Sequence, residues 1–105
     1  MIIRIENYGI ETFNEIPLEI SMWYVYVLMS KKTGQWYIGS TKNMQKRISI
    51  HNSGANKSTK AGKPWGIIYC ELGCNRDDAR AREKYLKSGM GRRYLKNRLK
   101  FFFAL

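Results

Sequence analysis

The sequence predicts an α+β fold: a three-stranded antiparallel sheet flanked by helices, in the order β-β-α-β-α-α. Two observations lead there. Trp23–Met29 and Gln35–Ser40 are short runs rich in aromatic and β-branched residues, separated by the turn sequence Ser30-Lys31-Lys32-Thr33-Gly34. Beyond them, one further strand-like run, Trp65–Leu72, lies between stretches whose apolar residues recur every three or four positions.

Taken in order, Trp23–Met29 is apolar at every position, too short for a buried helix and rich in Tyr and Val, which predicts a central strand. Gly34 suits the positive φ that closes the turn. With the turn centred near Lys31 and Lys32, Tyr26 falls opposite Tyr37 on one face of the hairpin. A slip of one residue would send one tyrosine to the other face. Thr41 or Asn43 caps a helix running to about Asn52. Met44 and Ile48 face the core of that helix, while Arg47 and His51, also four apart, share a neighbouring stripe. Ser53 to Pro64, with Gly54, Lys57, Lys60, Gly62 and Lys63, reads as a solvated, mobile loop. The third strand follows, with Ile67, Ile68 and Tyr69 at its centre. Asn75 with Asp78 three residues later resembles a capping box. It opens a helix through Ala79, Glu83 and Leu86 to about Ser88. Gly89-Met90-Gly91 breaks that helix, and a last one begins near Arg92 with Leu95, Leu99 and Phe102 at core spacing.

A chain of 105 residues supports one small domain. Residues 1–21 differ from the rest: they hold four Glu, one Arg and Pro17. They read as an N-terminal extension of unknown role, with a short strand expected at Ile2–Ile5, and residues 22–105 read as the domain proper. The net charge is +11, from 19 Lys and Arg against 8 Asp and Glu. Basic side chains displace condensed counterions from phosphates, so nucleic acid is the default partner for such a balance. Cys70 and Cys74 are four apart with no second Cys or His cluster, which excludes a zinc finger and fits reduced thiols. No apolar run reaches membrane-spanning length, so no membrane partner is expected. The N-terminus carries acids where a signal peptide needs bases, and a cytoplasmic location is the default expectation.

The residues that carry chemistry cluster early. Tyr24-Val25-Tyr26 and Tyr37-Ile38-Gly39 are followed by Arg47 and His51. Phenols, a guanidinium and an imidazole on neighbouring elements make a cationic pocket suited to a phosphodiester. Glu83, downstream, is the one obvious metal ligand. Set in order, the two tripeptides, Arg47, His51-Asn52-Ser53-Gly54, Pro64-Trp65 and Arg82-Glu83 resemble the GIY-YIG nuclease superfamily. The likeness is to its small single-domain branch, similar to the N-terminal nuclease module of the bacterial excinuclease. The first tripeptide departs from the pattern, with Tyr24 in place of Gly.

The resemblance covers about residues 22–100 and implies a metal-dependent endonuclease acting on DNA, possible forms being branched or single-stranded. It implies catalytic roles for Tyr26, Tyr37, Arg47, His51 and Glu83, with Glu83 holding one Mg²⁺ or Mn²⁺. A tyrosine would act as base, directly or through metal-bound water, and the residues leave open whether it is Tyr26 or Tyr37. A nearby cation such as Arg47 would lower its pKa. Glu71 is the alternative ligand, and Asn97 a further polar position on the last helix. Lys46, Lys57, Lys60, Lys63, Arg92, Arg93, Lys96 and Arg98 read as contacts to the nucleic-acid backbone, without sequence choice. The excinuclease likeness would place the protein in DNA repair. The alternative function is a non-catalytic nucleic-acid-binding module of the same fold.

Overall fold

The computed structural model describes residues 22–105; the extension over residues 1–21, with the strand expected in it, lies outside them. Strand β1 (Trp23–Ser30) turns into β2 (Trp36–Thr41), followed by helix α1 (Met44–Ser53). A single 3-10 turn (Lys60–Gly62) leads to β3 (Trp65–Gly73), and helices α2 (Arg76–Lys87), α3 (Gly89–Arg98) and the short α4 (Lys100–Phe103) close the chain. The sheet is antiparallel in the order β2-β1-β3, as the sequence predicts, with β1 central.

β1 is apolar from Trp23 to Met29 because both its faces are covered. Val25 and Val27 pack with Ala79, Leu86 and Leu95 of α2 and α3. Tyr26 and Leu28 pack on the other face with Trp65, Tyr37, Met44 and Ile48, the last two from α1. The N-caps fall at the expected residues, with only the forward half of the expected capping box formed at Asn75. Asn43 accepts from the Lys46 N–H, and Asn75 accepts from Asp77 and Asp78.

The structure corrects several expectations. Tyr37 lies opposite Leu28, and Tyr26 opposite Gly39, so the hairpin is offset by two residues from the expected pairing. An even offset preserves the face, and the two tyrosine rings still meet diagonally, 6.3 Å between centroids. Residues 53–64 are not a free loop. Thr59 is buried, Gly62 accepts a hydrogen bond from the buried Ser30 hydroxyl, and the Trp65 indole N–H donates to the Thr59 carbonyl at 2.8 Å. The break between α2 and α3 falls at Ser88, whose hydroxyl accepts from the Gly91 N–H, and Gly89–Gly91 form the first turn of α3. Gly91 is there for clearance: a Cβ on it would strike the Tyr85 carbonyl and Leu86 Cα of α2. Phe102 is 40% exposed and outside the core, because α3 ends at Arg98 and α4 starts a new axis. Ile67 is likewise exposed, for a reason found in the register of β3. A bulge between the partners of Val27 and Leu28 leaves Ile68 as the extra residue. Ile68 and Tyr69 therefore both pack on the α2 side, and Trp65 is re-aimed to the α1 side.

Candidate functional site

β2 is an edge strand, and the site is built around that edge from both faces of the sheet. On the α1 face, Tyr26 projects from β1 across Gly39 of β2. A Cβ at Gly39 would sit 2.6 Å from the Tyr26 hydroxyl, so only glycine lets the ring lie there. On the α2 face, Ser40 donates to the Glu83 carboxylate at 2.7 Å, which ties α2 to the same strand. Between the faces lies a cleft of about 180 Å³ lined by Tyr26, Tyr37, Gly39, Ser40, Arg47, Arg80 and Glu83.

The structure thus brings Tyr37, Arg47 and Glu83 to one opening, with the fully buried Tyr26 as its floor and His51 beneath that. His51 is fully buried, with Nε2 3.0 Å from the Tyr26 hydroxyl and Nδ1 2.8 Å from Thr59 Oγ1. It cannot touch a phosphate, and its stripe is not shared with Arg47 at the surface. Arg47 Nε donates to the Tyr26 hydroxyl at 3.3 Å, which leaves its terminal nitrogens for another acceptor.

Hydrogen-bond logic assigns the tautomer. The Thr59 hydroxyl has an acceptor in the Asn56 carbonyl, at 3.4 Å, so it receives the Nδ1–H of His51. Nε2 is then left to accept the proton of Tyr26. Burial, with the neighbouring Arg47 charge, pushes His51 below the ordinary imidazole pKa, so it is neutral at pH 7. Burial also raises the Tyr26 phenol, and this outweighs the pull of Arg47. The expectation of a phenol lowered by Arg47 does not hold for Tyr26, because its ring lies in the core. Burial alone would raise Glu83, but hydrogen bonds from Lys87 and Ser40 outweigh it and hold the carboxyl below its usual range.

Glu83 pairs with Lys87 at 2.7 Å, one helical turn on. Glu71 belongs to another network: it accepts from Arg82 at 2.6 Å and from the Tyr69 hydroxyl at 2.6 Å, on the far edge strand. It is not an alternative ligand in this cleft. Among the described residues no group of three or more His, Cys, Asp or Glu gathers. One carboxylate beside hydroxyl oxygens does not fit zinc, but it fits a hard divalent cation that keeps most of its waters.

Two residues escaped the sequence reading that had a signal in it. Arg80 lies three before Glu83 on α2, on the same helix face, and Ser40 directly follows the second tripeptide. Thr59 had none, since its role rests on how residues 53–64 fold. The other expected contact residues, with Asn97, fall into three groups. Lys57, Lys60 and Lys63 line a hollow with Lys32. Arg92 lies over the Trp36 ring, 4.5 Å from its centroid, and Lys96 lines a hollow with Trp36 and Phe103. Lys46, Arg93, Asn97 and Arg98 are exposed and line none of these hollows.

Comparison with known proteins identifies the family. The model of the GIY-YIG catalytic domain matches residues 22–100. A UPF0213 protein of Clostridium perfringens is 40% identical over 67 residues, 63% of this chain and 71% of that protein. One from Streptococcus pneumoniae serotype 4 is 40% identical over 65 residues, 61% of this chain and 65% of the relative. One from Bacillus subtilis is 32% identical over 71 residues, 67% of this chain and 71% of the relative. The chain spans roughly two thirds of the length of these relatives.

Proposed function

The chain belongs to the GIY-YIG family, and from that premise we propose that it is a metal-dependent endonuclease that hydrolyses phosphodiester bonds of DNA. The observation that carries this reading is the convergence of Tyr26, Tyr37, Arg47 and Glu83 on one cleft from different elements and both sheet faces.

Water attack on a phosphodiester needs a proton acceptor, neutralisation of the phosphoryl oxygens and help for the leaving oxygen. Tyr26 is the better base of the two tyrosines, because its own proton already has a destination in His51 Nε2. As Tyr26 takes a proton from water, it passes one to His51, and a free phenolate never has to accumulate. Thr59 holds the imidazole in the receiving tautomer. Arg47, fixed through Nε on Tyr26, offers its remaining N–H groups to a phosphoryl oxygen. Arg80 adds a second cation on the opposite wall, and the Tyr37 hydroxyl a hydrogen bond. Glu83 would hold one Mg²⁺ or Mn²⁺, which supplies Lewis-acid stabilisation of the phosphoryl and leaving oxygens. With one carboxylate, already paired with Lys87, Glu83 binds such an ion weakly until substrate phosphate adds its own oxygens.

The test is cleavage of supercoiled, single-stranded and branched DNA with Mg²⁺ or Mn²⁺. Wild type should cut at least one of these. Tyr26→Phe and Glu83→Gln should each lose about 10²–10⁴-fold in rate while still binding DNA. Absence of cleavage with every substrate, or a Glu83→Gln variant as active as wild type, would sink the proposal. The Glu83–Lys87 pair keeps a second reading in play, a nucleic-acid-binding module of the same fold in which Glu83 serves α2 alone. Tight binding without any cleavage is its signature.

A further inference from the structure

The cleft continues along the outside of β2. Next to it lies a hollow of about 280 Å³ lined by Trp36, Tyr37, Ile38, Leu86, Lys87 and Arg92. Tyr37 is common to both. Beyond it a second hollow, of about 520 Å³, is lined by Trp36, Lys96, Lys100, Phe103 and Ala104, with Trp36 again the shared wall. Four cations stand along this track, one of them, Lys87, paired with Glu83, and among the described residues no acid lines either hollow. The cations alternate with flat rings. The Arg92 guanidinium lies 4.5 Å from the Trp36 centroid, and Phe103 stacks on Trp36 at 5.5 Å and 13° from parallel. Phe103 keeps 41% of its surface open. A separate hollow among Lys32, Lys57, Lys60 and Lys63 has cations but no aromatic ring.

A duplex offers phosphates on its outside and keeps its bases stacked on each other, so it has no use for exposed rings. An unpaired strand offers both phosphates and base faces, and grooves that bind it interleave cations with aromatic platforms. We propose that the Trp36–Phe103 track is a stacking subsite for an unpaired nucleic-acid strand leaving the cleft. A base extends the Trp36–Phe103 stack on the open side of Phe103, while Lys87, Arg92, Lys96 and Lys100 follow the phosphates. The inference rests on the cleft being the phosphodiester site, and it narrows the substrate to nucleic acid with an unpaired stretch on that side.

The test is fluorescence anisotropy of the full chain with EDTA present, so that binding is read apart from cleavage. The probes are a labelled thymidine strand of about 20 nucleotides, an abasic strand with the same number of phosphates, and a blunt duplex of equal length. Wild type should bind the thymidine strand about five-fold or more tighter than the abasic strand. Phe103→Ala, at an exposed position that leaves the core intact, should lower affinity for the thymidine strand by a similar factor. Its affinity for the abasic strand and the duplex should stay within about two-fold, since the phosphate contacts remain. Trp36→Ala should do the same, with circular dichroism confirming its fold. Equal binding of thymidine and abasic strands overturns the proposal. So does an unchanged Phe103→Ala variant, or one that alters only the oligomeric state in size-exclusion chromatography, which would make the track a protein interface. Failure here with cleavage intact removes the subsite alone. Loss of cleavage with this binding pattern intact removes the catalytic reading alone.

Discussion

At the scale of single residues, His51 governs the site without entering it. Its burial and the Arg47 charge depress its pKa in the folded state. A depressed pKa means that the unfolded chain takes up the proton first as pH falls. The stability that neutral His51 contributes is complete above its unfolded value of about 6.5 and is lost as pH falls through the folded value. His51 is the only histidine, and Glu83, with its pKa held down, responds only at more acid pH. The melting temperature should therefore decline between about pH 7 and pH 5. His51→Gln should melt lower at pH 7 but show a flatter dependence across that window. A wild-type melting temperature constant over the window would contradict a neutral buried His51. The residue types of this site could be read from the sequence, because phenol, guanidinium, imidazole and carboxylate follow one another in a recognisable order. Their environments could not. Nothing in the order of residues says that Tyr26 is more buried than Tyr37, or that burial outweighs Arg47 at the phenol.

Among the elements, α1 and β3 share an apolar contact and are hydrogen-bonded to each other through one side chain. Asn52 donates through Nδ2 to the Trp65 carbonyl at 3.1 Å and accepts the Trp65 N–H at 2.6 Å through Oδ1. This pair sits at the outer end of an edge strand, where no neighbouring strand supplies the bonds. The motif His51-Asn52-Ser53-Gly54 is thus three local devices. His51 receives Tyr26, Asn52 clasps β3, and Gly54, at φ 81°, ends the helix in the left-handed conformation. Asn52→Ala should destabilise the fold by about 1–3 kcal/mol, since it strips partners from two part-buried backbone groups. Urea unfolding measures it, and a loss below about 0.5 kcal/mol would mean that water replaces the clasp at no cost. The elements themselves were legible from period, turn chemistry and caps. The bulge at Ile68 was not, since Trp65–Leu72 reads as an unbroken strand. Without that extra residue, Trp65 would point to the α2 side, and the residues around Thr59 would lose the indole that anchors them.

For the whole molecule, charge and topology act together. From Met22 on there are 18 basic and 4 acidic side chains, and two of those acids, Glu71 and Glu83, are paired with Arg82 and Lys87. Binding to nucleic acid should therefore fall steeply with salt. If about five phosphates are contacted, log affinity for duplex should drop with a slope of about −4.5 against log salt. A titration from about 50 to 300 mM NaCl with EDTA present checks it, and a slope near zero would rule out a phosphate-dominated interface. No helix among the described residues is long and apolar enough to cross a membrane. The sequence by itself determined the three strands and the helices through α3 in their order, the sign of the surface charge and the identities of the reactive groups. These follow from local periodicity and composition, which each segment carries alone. The tertiary structure decided which groups meet. The strand order β2-β1-β3 leaves β2 at an edge, so Glu83 on one face and Tyr26 on the other can share a cleft. The two-residue offset of the hairpin sets Tyr26 against Gly39, and the bulge in β3 turns Trp65 toward Thr59. Each of these depends on how paired strands register, where one residue of slip reverses every side chain.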